Sequence, residues 1–199
     1  MRRVTLLMLA LAGVPDLAVA QVTWCEAASG RLVAQAMERG DLDAQTHFAS
    51  RMVDGECGLD KVGTGAELLK NAADLGASGA QFELGSRLLL GHGVTEDPAK
   101  GLDYLEAAAQ AGHLDAQHFL GLLVLDRSDT EMERDEGLFW LGSAASQGSA
   151  NSARAISLLF GRGMHGVDQD SCLADLWYEA WQLLEGLADD AAAPPPTSC

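Results

Sequence analysis

The segment from Ala80 to Asp115 reads AQFELGSRLLLGHGVTEDPAKGLDYLEAAAQAGHLD, and the next six residues, AQHFLG, begin the same pattern again. The step from Ala80 to Ala116 is 36 residues. Weaker copies begin one step earlier, at Ala44 with AQTHFA, and one step later, at Ser152 with SARAIS. A fixed period of this length indicates a chain built from tandem structural units.

The second half of the unit keeps the same register, because Gly65, Gly101 and Gly137 are also 36 residues apart. A one-residue insertion near Gly163 shifts the last unit. We therefore divide the repeat domain, residues 21–188, into a half-unit at 25–43 and repeats at 44–79, 80–115, 116–151 and 152–188.

Each half of a unit has apolar residues three and four positions apart, as in Leu84, Leu88 and Gly91, which is the pattern of an amphipathic helix. No stretch alternates as a strand would. One helix hairpin cannot bury its apolar face alone, so neighbouring hairpins must stack. The sequence predicts an all-α solenoid with helices near residues 25–39, 42–54, 64–75, 78–90, 97–111, 114–125, 132–147, 150–161 and 170–188.

Four motifs between Ala80 and Ala116 resemble the Sel-one-like repeat family, a relative of the tetratricopeptide repeats. They are Ala-x-x-x-Leu-Gly, Gly-x-Gly-Val, Asp-Pro-Ala-Lys-Gly and Ala-Ala-x-x-Gly-His-x-x-Ala. The following unit departs from the pattern, with Asp126-Arg127-Ser128-Asp129 in place of Gly-x-Gly-Val. The resemblance implies a right-handed α-solenoid, and proteins of this kind generally act as adaptors or regulators that hold a protein or peptide in the concave face.

The first twenty residues have the organisation of a secretory signal peptide. Arg2 and Arg3 precede an apolar stretch from Val4 to Val14, and Ala18-Val19-Ala20 forms a small-residue cleavage site. The alternative is an uncleaved anchor, but an apolar run of about 11 residues is shorter than the roughly 20 that span a bilayer. We expect a periplasmic or secreted chain, cleaved near Ala20, with no membrane insertion of the mature protein.

The chain is strongly acidic, with a formal net charge of −16 from 29 Asp and Glu against 13 Lys and Arg. Such a surface repels nucleic acid and anionic membranes. Two interpretations of the charge stay open: it keeps the protein soluble, or it steers the protein towards a basic partner.

Four cysteines permit three pairings in an oxidising compartment. The position 36 residues after Cys25 is Lys61, which falls in the same predicted loop as Cys57, so stacking favours a Cys25–Cys57 disulfide. Cys172 either pairs with Cys199, folding back the acidic and proline-rich tail at 189–199, or Cys199 stays free. Metal sites need close pairs such as Cys-x-x-Cys, and the sequence contains none.

The sequence lacks several catalytic signatures: no serine is followed by lysine in a Ser-x-x-Lys motif, and neither a phosphate-binding loop nor His-Glu-x-x-His occurs. We therefore expect neither an enzyme nor a cofactor. Trp140 and Trp177 share the position of Tyr104 and are predicted to pack between hairpins, whereas Trp181 either caps the last hairpin or marks a docking patch.

A partner should contact the first helix of each unit. Gln45, Gln81 and Gln117 share one position there, and a glutamine ladder could hydrogen-bond the backbone of an extended peptide. Alternatively, glutamine simply suits a helix start beside alanine. Glu83, Arg87 and His118 would add side-chain discrimination.

The leading hypothesis is a monomeric periplasmic adaptor or regulator that binds another protein or peptide. The alternative is a periplasmic inhibitor or immunity-type protein that masks a basic effector. A third hypothesis, from a different class, is a cell-wall-active or penicillin-binding enzyme.

Overall fold

The computed structural model describes residues 39–186, and every regular element in that range is helical. The α-helices are α1 Leu42–Val53, α2 Val62–Asp74, α3 Ser78–Leu90, α4 Pro98–Gln110, α5 Leu114–Arg127, α6 Glu131–Ser146, α7 Ala150–Arg162 and α8 Ser171–Leu184. A short 3₁₀ helix, Leu59–Lys61, leads into α2. The all-α repeat fold predicted from the sequence is confirmed.

The helices pair as four successive hairpins, α1 with α2, α3 with α4, α5 with α6, and α7 with α8. Each hairpin packs most extensively within itself and next most extensively against the hairpin that follows it. The first helices of the first two hairpins, α1 and α3, also contact each other. This arrangement is a solenoid, in which each hairpin is stabilised by its own packing and by its interfaces with the adjacent hairpins.

Local sequence fixes where the helices begin and end. The Asp97 carboxylate accepts a hydrogen bond from the backbone N–H of Lys100, and Pro98 occupies the first turn of α4. Thr130 and Glu133 form a reciprocal capping box at the start of α6. The turn between hairpins repeats a glycine with positive φ, such as Gly112 at +87°, which a side chain would strain.

Close helix approach within a hairpin depends on paired glycines. A Cβ added to Gly121 of α5 would lie 2.8 Å from Leu141 Cγ and 2.9 Å from the carbonyl oxygen of Gly137 on α6. The pair Gly85 and Gly101 has the same relation between α3 and α4. The 36-residue glycine register therefore sets the distance between the two helices of a hairpin.

The core repeats with the sequence. Leu69, Leu105 and Leu141 occupy one equivalent position of the second helices, and all three are fully buried. The position three residues later is alanine each time, at 72, 108 and 144, and it too is fully buried. Small and large side chains thus alternate along the seam between stacked hairpins.

The observed helices agree with the predicted ones to within a few residues, and α3 matches at both ends. The predicted helix at 25–39, apart from Arg39, the signal peptide at 1–20 and the tail at 189–199 lie outside the described residues. No helix in residues 39–186 is long and apolar enough to cross a membrane.

Candidate protein-binding face

The exposed sides of α1, α3, α5 and α7 form one surface, which we call the first-helix face. Its positions recur every 36 residues because the hairpins stack in register. On α5 it comprises Asp115, His118, Phe119, Leu122 and Asp126, all exposed or half-buried. The equivalent positions on α7 are Asn151, Arg154, Ala155, Leu158 and Arg162.

The centre of this face is apolar. Phe119 is 38% exposed, Leu122 38% and Leu158 39%. Leu122 and Leu158 share one repeat position, so they lie on adjacent first helices, and Phe119 is one turn from Leu122 on α5. Exposed apolar side chains on neighbouring helices are typical of a surface that another molecule covers.

The charge of the first-helix face changes along the stack. On α1 the exposed positions include Asp43 and His47, and Asp54, which pairs with Arg87, follows the end of the helix. On α7 they include Arg154 and Arg162 instead. The Arg154 guanidinium lies over the ring of Trp181, with its carbon 5.4 Å from the ring centroid. The apolar centre is therefore flanked by acidic residues on one side and basic residues on the other.

The three predicted ladder glutamines use their amide nitrogens inside the fold. Gln45 Nε2 donates to the carbonyl oxygen of Leu68 at 3.2 Å, Gln81 Nε2 to that of Ala73 at 3.2 Å, and Gln117 Nε2 to that of Ala109 at 3.0 Å. Gln45 and Gln117 are buried. The amides thus join first helices to adjacent second helices, which differs from the open peptide-binding ladder expected from the sequence.

Arg87 belongs to a polar cluster between the first two hairpins. Its guanidinium is buried and forms ion pairs with Glu83 at 2.6 Å and Asp54 at 2.8 Å. It also donates to Ser50 Oγ at 2.9 Å and lies 3.3 Å from His92 Nδ1. Glu83 in turn accepts a hydrogen bond from Ser50 at 2.7 Å. The cluster joins α1 to α3, so Arg87 is a poor candidate for direct contact with a partner.

His118 lies on the first-helix face, and its Nδ1 is 2.9 Å from Ser152 Oγ on α7. Ser152 is fully buried. Burial lowers the pKa of His118 below its usual value near 6.5, and the nearby Asp115 carboxylate only partly opposes this shift. The imidazole therefore connects two consecutive first helices in its neutral form near pH 7.

An apolar cleft of about 440 Å³ lies outside the first-helix face, between α2, α3 and α4. Leu84, Leu88, Val94 and the Tyr104 ring line it. Tyr104 Oη donates to Asp74 at 2.6 Å, and burial together with this bond raises the pKa of Tyr104 to about 12. The charged residues on its rim include Lys70 and Lys100, which pair with Asp74 and Asp97.

The tryptophans of the second helices pack between hairpins. Trp140 contacts the core formed by α4 and α5, and Trp177 and Trp181 pack against the α7 core. The Trp140 indole nitrogen is buried and makes no hydrogen bond. Trp181 lies at the last hairpin and is half-buried. Both predicted roles, a cap on this hairpin and a docking patch, place it there.

Cys57 is buried beside Phe48 and Met52, and Cys172 lies in the first turn of α8. Neither is a free thiol. Cys25 and Cys199 lie outside the described residues. Within residues 39–186, no group of three or more His, Cys, Asp or Glu side chains is arranged to hold a metal ion.

Sequence reasoning missed Phe119, Leu122 and Leu158. A signal was available, because position 119 holds histidine and glutamate in the two preceding units, His47 and Glu83. A phenylalanine at a position that is polar in both preceding units indicates an exposed apolar group. Comparing units position by position would have identified it.

A scan against family models matches the Sel1 repeat at residues 78–113 and 114–149. Both matched segments are 36 residues long and begin two residues before the units chosen from the sequence. A comparison with curated protein sequences finds no match.

Three solved structures are similar to this chain. The first is a protective antigen present in uropathogenic Escherichia coli strains, displaying an SLR fold, with a TM-score of 0.63 and 26% identity over 75% of this chain and 32% of that one. A Sel1 repeat protein from Oxalobacter formigenes gives a TM-score of 0.66 and 21% identity over 83% and 69%. An immunity protein from Pseudomonas aeruginosa gives 0.47 and 20% identity over 88% and 84%. This chain thus spans about a third of the length of the first of these proteins.

Proposed function

The chain contains Sel1 repeats, a fold that generally serves protein–protein interaction, and from this premise we propose that it is an adaptor or regulator that binds a partner protein on the first-helix face. The observation that carries the proposal is the exposure of Phe119, Leu122 and Leu158 together on adjacent helices. Exposing three large apolar side chains in one patch forgoes the free energy of burying them, which a bound partner would recover.

The charges that flank the apolar centre define the partner segment. Four first helices at about 9 to 10 Å spacing present a track of roughly 30 Å. A matching segment carries apolar side chains in its middle, a basic residue opposite Asp43, and acidic residues opposite Arg154 and Arg162. Charge complementarity of this kind fixes the direction in which the segment binds.

The proposed location is the periplasm or the extracellular medium, reached through the signal peptide and cleavage near Ala20. The proposed Cys25–Cys57 disulfide belongs to this location, because disulfides persist in oxidising compartments. It is supported by Cys57, which is buried against α1 and is not a free thiol. We propose that the mature chain acts as a monomer with a protein or peptide partner.

The test is affinity capture by the mature chain, residues 21–199, from an extract of the same compartment, followed by binding measurements with the purified partner. Phe119→Asp combined with Leu122→Ser places a charge and a hydroxyl in the centre of the face. We expect the dissociation constant to rise by at least tenfold, because two apolar contacts are lost and the carboxylate must be desolvated.

The matched control is Phe139→Asp, since Phe139 is 63% exposed but lies on the second helix α6. It should bind the partner like the unaltered chain. Equal losses in both variants would indicate a general effect on folding, and an unchanged dissociation constant for the Phe119 and Leu122 variant would refute binding through the first-helix face.

The inhibitor or immunity-type function rests on a different observation, the net charge of −16. It predicts a basic partner whose affinity falls steeply as salt rises. The salt dependence of binding to the captured partner distinguishes the adaptor from the inhibitor, because apolar contacts are far less sensitive to salt than charge masking. Sel1 repeats generally form non-enzymatic binding scaffolds, so binding is the activity to measure first.

A further inference from the structure

Helix α8 carries an exposed apolar stripe along one side. Cys172, Leu176, Ala180 and Leu183 follow at intervals of four, four and three residues, which places them on one side of a helix. Leu176 is 49% exposed and Leu183 is 69% exposed. The stripe borders the side of α8 that packs on α7, because Ala180 packs there together with Trp177 and Trp181, but Leu176 and Leu183 stay exposed.

The same side of the preceding second helices is largely polar. The equivalent positions, 37 residues back on α6 and a further 36 back on each earlier helix, follow from the repeat register. They hold Asp135, Phe139, Ser143 and Ser146 on α6, Ala99, Asp103, Ala107 and Gln110 on α4, and Gly63, Glu67, Asn71 and Asp74 on α2. The continuous apolar stripe thus distinguishes the helix that precedes the tail.

The fold limits which cysteine can pair with Cys172. Cys57 lies between α1 and α2, three hairpins away, which corresponds to roughly 30 Å in a stack of helices about 10 Å apart. A disulfide requires Cα atoms within about 7 Å. Cys25 precedes the first hairpin in the sequence, 147 residues before Cys172. Because Cys172 is not a free thiol, Cys199 is the partner that the topology favours.

The length and chemistry of residues 187–199 fit the stripe. Thirteen residues after Gly186 reach up to about 43 Å when extended, far more than the return to Cys172 requires. The stripe from Cys172 to Leu183 is about 16 Å long at 1.5 Å per helical residue. Residues Pro194 to Cys199 cover about 16 Å in a polyproline conformation. Three alanines and three prolines, at 191–196, offer an uncharged surface to the leucines.

We infer that residues 187–199 fold back along α8, with Pro194–Pro196 on Leu176 and Leu183 and a Cys172–Cys199 disulfide at the end, and so cap the last hairpin. Formation of the disulfide joins the two Sγ atoms. Two protons and two electrons pass to an acceptor disulfide, such as oxidised glutathione or an oxidoreductase, which becomes two thiols. The inference does not depend on the proposed partner, because the stripe and the first-helix face lie on different helices.

The experiment uses the whole mature chain with all four cysteines. A proteolytic digest under non-reducing conditions identifies the peptide linked to Cys199. Equilibration in glutathione buffers, followed by quantitative alkylation of Cys199, then gives the ratio of the squared concentration of reduced glutathione to the concentration of oxidised glutathione at which half of Cys199 is oxidised. Docking of the tail raises the effective concentration of the two thiols. Replacing the leucines of the stripe with polar residues should therefore make the disulfide easier to reduce.

We expect the digest to link Cys172 to Cys199, and we expect Leu176→Ser with Leu183→Ser to weaken the disulfide by about tenfold. The control, Leu75→Ser with Leu90→Ser, alters two leucines that are 64% and 79% exposed elsewhere and should leave it unchanged. A link from Cys172 to Cys25 or Cys57 would overturn the inference. The inference would also be overturned if the stripe variant and the control variant had equally stable disulfides. A dimer in which a second copy protects the stripe would overturn it as well.

Discussion

A half-buried imidazole connects two consecutive first helices, and its environment makes it sensitive to acid. His118 Nδ1 lies 2.9 Å from the hydroxyl of the fully buried Ser152. Its pKa is lowered because burial disfavours the charged ring, and Asp115 does not fully compensate. The folded chain therefore binds a proton at this site less readily than the unfolded chain does.

The sign of the pH dependence follows from that difference. Because the folded pKa of His118 lies below its unfolded value near 6.5, the contribution of the neutral ring is present above pH 6.5 and is lost as the pH falls below it. His118→Asn should reduce the loss of thermal stability between pH 7.5 and pH 5. The control is His47→Asn, which alters an exposed histidine on α1. An identical loss in the His118 variant and in the unaltered chain would contradict the assigned role.

The buried amides and the Arg87 cluster illustrate what sequence reasoning can and cannot reach at this scale. The 36-residue period identified Gln45, Gln81 and Gln117 as equivalent positions. It could not tell which side of the helix they face, since a residue one position along a helix is turned by 100°. In the structure, Gln81 and Gln117 face the last turns of α2 and α4 and donate to carbonyl oxygens there, whereas Gln45 donates to the Leu68 carbonyl in the middle of α2. The period does not reveal these contacts.

At the scale of the helical element, glycine determines how closely the paired helices approach. The carbonyl oxygen of Gly137 and the side chain of Leu141 occupy the space that a Cβ on Gly121 would need. Gly142 lies on the same helix, α6, but a Cβ added to it would have no atom within 4 Å. Helix existence and boundaries were predictable from periodicity and caps, and the glycine register was visible in the sequence. The contact partner of each glycine needed the structure.

These two glycines provide a matched pair of substitutions. Gly121→Ala should lower the free energy of unfolding by about 1 to 3 kcal/mol, because the added methyl group overlaps the neighbouring backbone. Gly142→Ala should raise it by about 0.5 to 1 kcal/mol, through the higher helix propensity of alanine. Chemical denaturation of both variants measures the two values. If Gly121→Ala instead raised the free energy of unfolding, the close approach of α5 and α6 would not be required for stability.

In the whole molecule, each hairpin is stabilised by its contacts with the neighbouring hairpins. The all-α solenoid followed from the sequence because one period recurs through most of the chain. The first-helix face and the α8 stripe did not, because both depend on residues that break the period, namely Phe119 on one and Leu176 and Leu183 on the other. In a repeat protein the average unit specifies the fold, and departures from that average mark the surfaces that differ between hairpins.

The Arg87 cluster allows the coupling between hairpins to be tested. Arg87 is on α3, but its ion pair with Asp54 and its hydrogen bond to Ser50 reach the first hairpin. Arg87→Met keeps most of the side-chain volume and removes the charge. Since Glu83 then loses the cation beside it, contact between the first two hairpins should weaken.

Amide hydrogen exchange followed by mass spectrometry locates the effect. We expect Arg87→Met to speed exchange in α1 and α2 by at least tenfold, while α5 to α8 exchange as in the unaltered chain, because each hairpin is held by its neighbours alone. Lys70→Met is the control, since Lys70 pairs with Asp74 within α2 and is mostly exposed. Uniformly faster exchange in all hairpins would mean that the stack unfolds as one cooperative unit, and then the nearest-neighbour description would fail for this protein.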